Sequence, residues 1–332
     1  MSARAIVVRE LGPPARHRIE PVDVPAPGSG EARVAIVAAG MNFPDLLMLE
    51  GRYQYRPELP FIPGMEAAGT VIGTGPDAGR FRPGDRVIVR MRNGAFAEQV
   101  NLREEQLLPL PVGMSFAEGA TFSVAAITAI HALADRGRLQ RGETLLVLGG
   151  AGGVGLAAVE FGARLGAQVI AACAGPEKAA IARARGAHHV VDHPREDLRE
   201  RVLELTGGRG ADVIYDPVGG AGFDASMRCI GWGGRLLVIG FATGTIPRLK
   251  ANLALLKGCS VIGVRAGESA RRDPELGRRN LRRAFEIAAE GGLRPNISHR
   301  VPFHEFPEAY RILAERRAIG RVALLMGEDD RP

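Results

Sequence analysis

The sequence predicts a two-domain α/β protein that combines a barrel-like β domain with a doubly wound parallel sheet covered by helices. The chain has 332 residues, of which 46% are hydrophobic and 24% charged, so it is globular and long enough for two hydrophobic cores. Its first third alternates short β-like runs with Gly and Pro turns. Its middle alternates apolar strands with helices, and a glycine-rich turn joins the first of these strands to its helix.

The N-terminal third is expected to form the antiparallel, barrel-like domain. Runs rich in Val, Ile and Ala occur at 32–38, 67–72 and 85–90, and turn pairs such as Pro27-Gly28 and Pro63-Gly64 separate them. Few helical patterns interrupt these runs, so strands are expected to dominate this part of the chain.

A change of pattern near Ser115 begins the helical and parallel part. Ser115 and Glu118 have the spacing of a capping box, and residues 124–133 continue as an apolar helix. Predicted strands follow at 144–148, 168–173, 189–191, 213–216, 235–239 and 259–264, and predicted helices at 154–165 and 177–185. This alternation predicts a parallel sheet with helices on both faces.

The remaining elements define the expected domains and assembly. Helices are predicted at 280–290 and 307–317, and a closing strand at 321–326. We predict that 1–122 and 265–332 form the first domain and that 123–264 form the second. Because a last strand at 259–264 leaves an unpaired sheet edge, we also predict a homodimer in which this strand pairs with its symmetry mate.

Composition argues against several classes of protein. No apolar run approaches the ~20 residues that span a bilayer, and the N-terminus lacks the apolar core of a signal peptide, so no membrane association and a cytoplasmic location are expected. The three cysteines, Cys173, Cys229 and Cys259, lack the short spacings of a disulfide framework or a cysteine-built zinc site.

The net positive charge of the chain does not indicate nucleic-acid binding. The net charge is +6, but the densest basic stretch, 271–294, interleaves Glu275, Glu286 and Glu290 at helical spacings. Only Phe285 is aromatic there, whereas nucleic-acid surfaces use several stacking residues. This stretch is interpreted as a solvated helix face.

The sequence GGAGGVG at 149–155 predicts a dinucleotide site. It follows an apolar strand and precedes a helix, where glycines allow a tight turn and close approach of a pyrophosphate to the helix N-terminus. The next strand ends on Ala174 and Gly175 without a carboxylate to bind an NADH ribose, and Lys178 follows one turn into the next helix. NADPH is therefore favoured, with Glu177 as the candidate ribose ligand if the cofactor is NADH.

Over nearly its full length the chain resembles the medium-chain dehydrogenase/reductase superfamily, and within it the zinc-free quinone oxidoreductases, including ζ-crystallin-like proteins. The motifs that carry the resemblance are GMNFPD at 40–45, PGMEAAG at 63–69, PGDRV at 83–87, the glycine turn and NLALLKG at 252–258. The resemblance implies a GroES-like β-barrel catalytic domain and a Rossmann doubly wound parallel sheet.

The zinc ligands of the alcohol dehydrogenases in this superfamily are absent from the matching positions. Their Gly-His-Glu is matched by Gly64-Met65-Glu66, and their first cysteine ligand is matched by Asn42. Catalytic zinc needs three protein ligands, so a metal-free enzyme is expected. Without a Lewis acid, hydride delivery from NADPH to an electron-poor acceptor is the easier chemistry. Quinones are the first candidates, and enals, enones or enoyl thioesters remain open.

The resemblance also implies roles for individual residues. It places Asn42 and Thr128 beside the nicotinamide ribose and amide, and Gly240 and Phe241 near the nicotinamide. The remaining implied cofactor contacts are Gly152, Gly153, Val154 and Gly155 at the pyrophosphate, Gly175 and Lys178 at the 2′-phosphate, His193 near the adenosine phosphate, and Arg321. His193 has the alternative of an exposed loop histidine, and Arg321 that of a surface residue before an edge strand.

The catalytic candidates are Tyr53 and Asn42. The Tyr53 phenol has one donor proton for the oxygen of a reduced acceptor, or it is only part of a pocket wall. Asp45 is interpreted as a structural residue, and Met41 and Met65 as core or pocket wall. A non-enzymatic alternative, an NADPH-binding structural or RNA-binding protein, stays open because relatives of the ζ-crystallin type permit it.

Overall fold

The computed structural model describes residues 2–327 of the chain. The strands are β1 Ser2–Val7, β2 Arg18–Asp23, β3 Glu31–Met41, β4 Glu66–Thr74, β5 Arg86–Arg90, β6 Gln99–Arg103, β7 Leu107–Pro109, β8 Thr144–Leu148, β9 Gln168–Cys173, β10 His189–Asp192, β11 Ala211–Asp216, β12 Ile230–Val238, β13 Ser260–Gly263, β14 Ile297–Pro302 and β15 Arg321–Leu325. The α-helices are α1 Phe43–Leu49, α2 Phe116–Ile130, α3 Gly153–Arg164, α4 Pro176–Ala184, α5 Leu198–Leu205, α6 Gly220–Cys229, α7 Ala251–Lys257, α8 Ala266–Arg272, α9 Pro274–Ala289 and α10 Phe306–Ala314.

The chain divides into two compact units. The first contains the residues up to Ser123 and those from Arg294 onwards, and the second is Val124–Leu293. The predicted boundary at 265 therefore differs from the observed one, because α8 and α9 belong to the second unit. Asn280 of α9 is buried there, and its amide donates to Asp135 Oδ2 at 2.6 Å.

The first unit is built on a largely antiparallel sheet, as the β-like runs predict. The strand order is β14-β15-β3-β4-β5-β7, and β6 shares an edge of β3 with β15. Strands β14 and β15 pair in parallel, and the other pairs in this sheet between residues 2 and 327 are antiparallel. The core contains a cluster of aromatic rings, since Tyr310 contacts Phe96 and Phe306 edge to face with centroids 6.4 Å apart in each pair.

The second unit is the predicted doubly wound sheet. Its six strands are parallel and follow the order β10-β9-β8-β11-β12-β13. The chain starts at β8, runs outward to β10, returns to β11 and continues outward to β13, which leaves a crevice between the carboxyl ends of β8 and β11. The strand predicted at 259–264 is the edge strand β13, as expected.

Helix α2 differs from the sequence prediction in length. The predicted capping box is present: Ser115 N–H donates to Glu118 Oε2 at 2.8 Å, and Glu118 N–H donates to Ser115 Oγ at 3.2 Å. The helix then runs without a break and continues as a π-helical segment, His131–Arg136. Phe116–Arg136 is consequently long and apolar enough to cross a membrane, which corrects the expectation that no such run exists. However, 83% of its most apolar window is buried inside the protein, as in a core helix.

Candidate cofactor and catalytic site

The glycine turn connects β8 to α3 as the sequence predicts. Gly152 is the N-cap of α3 and, as a glycine, has no side chain to cap the N–H groups at this end. A Cβ atom on Gly155 would lie 2.1 Å from Gly149 O, so only glycine allows the turn to close on the helix. Gly152, Gly153 and Val154 are partly exposed. The free N–H groups of a helix N-terminus and the absence of side chains fit a dinucleotide pyrophosphate.

A second loop, residues 216–220, forms the other side of the crevice at the carboxyl ends of β8 and β11. Asp216 is buried, and its Oδ1 accepts hydrogen bonds from the N–H groups of Val218 at 2.8 Å and Gly219 at 2.9 Å. Burial raises the pKa of the Asp216 carboxyl, while these two hydrogen bonds lower it. A Cβ atom on Gly149 would lie 3.2 Å from Val218 Cγ2, so the loop lies against the glycine turn.

The loop at the end of β12, residues 239–245, is tied to the loop at 216–220. Ala242 N–H donates to Pro217 O and Thr243 N–H to Val218 O, both at 3.0 Å. A Cβ atom on Gly219 would lie 3.0 Å from Phe241 Cδ1. The predicted pair Gly240 and Phe241 therefore lies at the carboxyl edge of the sheet, and the two loops fix it there. The sequence reasoning missed Asp216 and Gly219, although an aspartate at a strand end followed by glycines marks the loop.

The end of β9 leaves space where a 2′-phosphate is expected. Gly175 has φ +83°, and a Cβ atom added to it would have no neighbour within 4 Å. Lys178 is half-buried in the first turn of α4, whereas Glu177 is exposed. Asp192 Oδ1 accepts the Gly175 N–H at 3.0 Å, which holds this turn against the end of β10. His193 lies exposed in the turn directly after β10, and its cofactor role stays a prediction.

In the first unit, the fully buried Glu66 carboxylate brings together two of the predicted site residues. Asn42 Nδ2 donates to Glu66 Oε1 at 3.1 Å, and the Arg321 guanidinium forms an ion pair with the same oxygen. Ser123 Oγ donates to Glu66 Oε2 at 2.9 Å. Arg321 is buried and begins an interior strand, so its alternative as a surface residue before an edge strand is wrong. We call Asn42, Glu66, Ser123 and Arg321 the Glu66 cluster.

The sequence reasoning missed Glu66 and Ser123 as site residues. Glu66 is the last residue of Gly64-Met65-Glu66, the segment that matches Gly-His-Glu of the zinc enzymes, and nothing else in the sequence marks it. Its partner Arg321 is 255 residues away in the sequence. Among residues 2–327, no group of three or more His, Cys, Asp or Glu side chains could hold a metal ion. The two positions that match zinc ligands hold Asn42, which bonds to Glu66, and Met65, which is half-buried.

Asp45 has the structural role expected for it. Its Oδ2 accepts the Asn42 N–H at 2.8 Å at the start of α1, and its carboxyl is completely buried. Burial is the main cause that raises the pKa of Asp45 to about 7; the nearby Glu66 raises it further, while the Asn42 N–H and Arg321 lower it. The buried Tyr310 faces the same carboxyl, and burial, assisted by Asp45, raises the pKa of its phenol.

The raised pKa of Asp45 predicts a pH-dependent stability. Between about pH 4 and 7 the folded state keeps a proton that the unfolded state has released, so the free energy of unfolding falls as the pH rises through this window. Asp45→Asn should remove this slope, which urea unfolding from pH 4.5 to 8 would measure. Asp23→Asn, at an exposed position, should leave the slope unchanged. A parallel pH profile for Asp45→Asn and the wild type would contradict the assignment.

Tyr53 and Thr128 are both half-buried. Tyr53 is half-buried in the turn after α1, where its N–H donates to Leu47 O at 3.2 Å. Thr128 is half-buried in the part of α2 that belongs to the second unit. Their catalytic and cofactor roles stay predictions.

The chain is similar to known dehydrogenases and quinone oxidoreductases over almost its whole length. Residues 28–112 match the family model "Alcohol dehydrogenase GroES-like domain" and residues 153–283 match "Zinc-binding dehydrogenase". The chain is 36% identical over 328 residues to quinone oxidoreductase-like protein 2 homolog of Nematostella vectensis, covering 97% of this chain and 89% of the relative.

Solved structures agree with these sequence matches. The quinone oxidoreductase of Pseudomonas syringae superimposes with a TM-score of 0.89 at 30% identity, covering 97% of this chain and 99% of that one. The Escherichia coli quinone oxidoreductase, solved in complex with NADPH, superimposes with a TM-score of 0.88 at 27% identity, covering 97% and 100%. The glycine turn, the strand order and these relatives together support a nicotinamide cofactor. The chain is an oxidoreductase of the medium-chain dehydrogenase/reductase superfamily and belongs to its quinone oxidoreductase-like family.

Proposed function

We propose that the protein catalyses the NADPH-dependent, metal-free reduction of quinones by hydride transfer. The observation that carries this proposal is the open, left-handed Gly175 at the end of β9, with the half-buried Lys178 following in the first turn of α4. No carboxylate occupies the last residues of β9, and the lysine supplies a cation for a 2′-phosphate. The NADPH complex of the E. coli relative supports the same choice of cofactor.

Metal-free chemistry is supported by the residues at the two positions that match zinc ligands. Asn42 directs its amide nitrogen to Glu66, and a methionine thioether at Met65 is a poor ligand for zinc compared with imidazole or thiolate. Reduction without a Lewis acid then requires an acceptor that is already electron-poor, as a quinone is.

The proposed reaction takes up one hydride and one proton. NADPH, when bound, would supply the hydride and leave as NADP⁺, and solvent would supply the proton that completes the hydroquinone. In this proposal the glycine turn holds the pyrophosphate, Gly175 and Lys178 hold the 2′-phosphate, and Gly240 and Phe241 border the nicotinamide. The Tyr53 phenol hydrogen-bonds to the acceptor oxygen on which negative charge develops.

The direct test is NADPH oxidation with an ortho-quinone in the presence of a metal chelator, with NADH and a short enoyl-CoA as parallel alternatives. We expect fast quinone turnover with NADPH that the chelator does not change. Turnover with the enoyl thioester alone would assign the enzyme to the enone and enoyl reductases. Binding of RNA in a salt-dependent manner without oxidation of NADPH by any acceptor would favour the non-enzymatic alternative.

We also propose a homodimer through the open edge of β13. Trp232, Leu255 and Leu256 are 80%, 79% and 67% exposed, and Leu255 and Leu256 lie in the helix that precedes β13. Trp232 lies beside Gly258, since a Cβ there would be 3.3 Å from its Cζ2. Large exposed apolar side chains beside an unpaired strand are suited to a second copy of the chain.

The dimer makes a specific prediction for solution mass. The wild type is expected to have twice the mass of one chain at micromolar concentration, and Leu255→Glu with Leu256→Glu is expected to have the mass of a single chain, because two buried charges would oppose the interface. Light scattering after gel filtration measures both. Val112→Glu is the control, since Val112 is 99% exposed in the other unit. A monomeric wild type, or a double variant that remains dimeric, would contradict this interface.

A further inference from the structure

The orientation of the Asn42 amide is fixed by its two acceptors. Its Nδ2 atom donates to Glu66 Oε1 at 3.1 Å and to Gly40 O at 3.3 Å. An amide nitrogen carries two N–H groups, so both are used within the protein. The capping box at the start of α1 turns the carbonyl Oδ1 towards the backbone of Asp45, and a carbonyl oxygen has two lone pairs. For any ligand, Asn42 can therefore accept a hydrogen bond but cannot donate one.

Glu66 is the residue that enforces this orientation. An ionised carboxylate can accept hydrogen bonds but cannot donate one. A reversed amide would place Asn42 Oδ1, which is also an acceptor, against Glu66, and no hydrogen bond could form. The carboxylate is fully buried, and the ion pair with the buried Arg321 compensates its charge. Ser123 Oγ, 2.9 Å from Oε2, restrains the other carboxylate oxygen. The Glu66 cluster thus holds a single rotamer of Asn42.

We infer that Glu66 is a positioning residue that presents Asn42 to the nicotinamide nucleoside as a hydrogen-bond acceptor for a hydroxyl or amide N–H group. This inference rests on the proposed use of NADPH. It also assigns different roles to the two catalytic candidates. Asn42 has no N–H group left to donate to an oxyanion on the electron acceptor, so we assign the role of hydrogen-bond donor to Tyr53.

A double-mutant cycle tests the inference on the NADPH dissociation constant, measured by quenching of protein fluorescence. Glu66→Leu, which removes both acceptor oxygens, is expected to weaken binding about 10-fold in the wild-type background, the effect of losing one oriented hydrogen bond. In the Asn42→Ala background the same change is expected to weaken binding less than about 2-fold, because a residue that acts through Asn42 loses its effect without it.

Two further variants separate positioning from stability. Thr121→Ala, which removes a buried hydroxyl that donates to Ala117 O at 2.8 Å, is expected to lower the Tm without changing the dissociation constant. If Glu66→Leu does not fold because Arg321 is left unpaired, Glu66→Leu with Arg321→Met removes both charges and takes the place of the single variant in the cycle. Equal effects of the Glu66 change in both Asn42 backgrounds would overturn the inference.

The cycle also distinguishes this inference from the proposed function. A protein that binds NADPH but reduces no quinone would refute quinone reduction, and the cycle on the dissociation constant would still decide the role of Glu66. A wild type that binds neither NADPH nor NADH would refute both.

Discussion

Replacing Gly155 by alanine is expected to weaken binding of the nicotinamide dinucleotide by at least ~100-fold, or about 2.7 kcal/mol. The new Cβ atom would lie 2.1 Å from Gly149 O and 2.9 Å from its carbonyl carbon, and both are backbone atoms that cannot rotate away. The turn must therefore move away from the N-terminus of α3. Because the free N–H groups of the first helical turn are the proposed pyrophosphate ligands, this displacement removes several hydrogen bonds together.

Gly152→Ala is the matched control for the Gly155 substitution. Gly152 has φ −81°, which alanine adopts readily, and its Cβ atom would lie 3.3 Å from Gly149 O. We expect a loss of binding at least ~10-fold smaller than for Gly155→Ala. Titration calorimetry with NADPH, together with the Tm of each variant, measures the difference. A Gly155→Ala protein that binds within about 3-fold of the wild type would show that the pyrophosphate lies elsewhere.

Lys178→Ala is expected to reduce the preference for NADPH over NADH by about 10- to 100-fold, since a hydrogen bond to a charged group contributes about 1.5–3 kcal/mol. The two cofactors differ only in the 2′-phosphate, so the loss should appear in the affinity for NADPH and leave that for NADH nearly unchanged. The ratio of the two dissociation constants is the measurement. The effect should decrease as salt is added, because it is electrostatic.

Arg183→Ala on the same helix controls for a general loss of positive charge near this end of the sheet. Arg183 lies in the last turn of α4, whereas Lys178 lies in the first. We expect the Arg183 variant to keep the NADPH preference within about 2-fold. An equal loss in both variants would indicate a diffuse electrostatic effect and not a 2′-phosphate contact. A wild type that prefers NADH would refute the cofactor assignment itself.

The parts of the fold that the sequence predicts are those determined by local pattern. The strands of the second unit are continuous apolar runs, and the glycine-rich turn is typical of a strand–turn–helix unit. The order of strands and helices along the chain could therefore be predicted. The capping box of Ser115 and Glu118 is local in the same sense and is confirmed. The resemblance to a known family then implies which kind of fold each domain has, which periodicity alone does not contain.

The features that the sequence did not predict depend on contacts between distant residues. Helix α9 is amphipathic and could cover either domain; its assignment follows from Asn280, which bonds to Asp135 at a separation of 145 residues. The Glu66 cluster likewise needs Arg321, and nothing near Glu66 in the sequence indicates that partner. The π-helical end of α2 leaves no mark in the apolar pattern, because a π turn buries the same kinds of side chain as an α turn.

The position of β15 has a consequence for how the protein folds during synthesis. This strand lies between β14 and β3, and it carries the arginine that compensates the buried charge of Glu66. The first unit therefore cannot complete its sheet until β15 at residues 321–325 has left the ribosome, whereas the strands of the second unit are available by residue 263. Because domains generally fold as units during synthesis, we expect the second unit to form first. Strand β3 would then remain incompletely paired until β15 is synthesised.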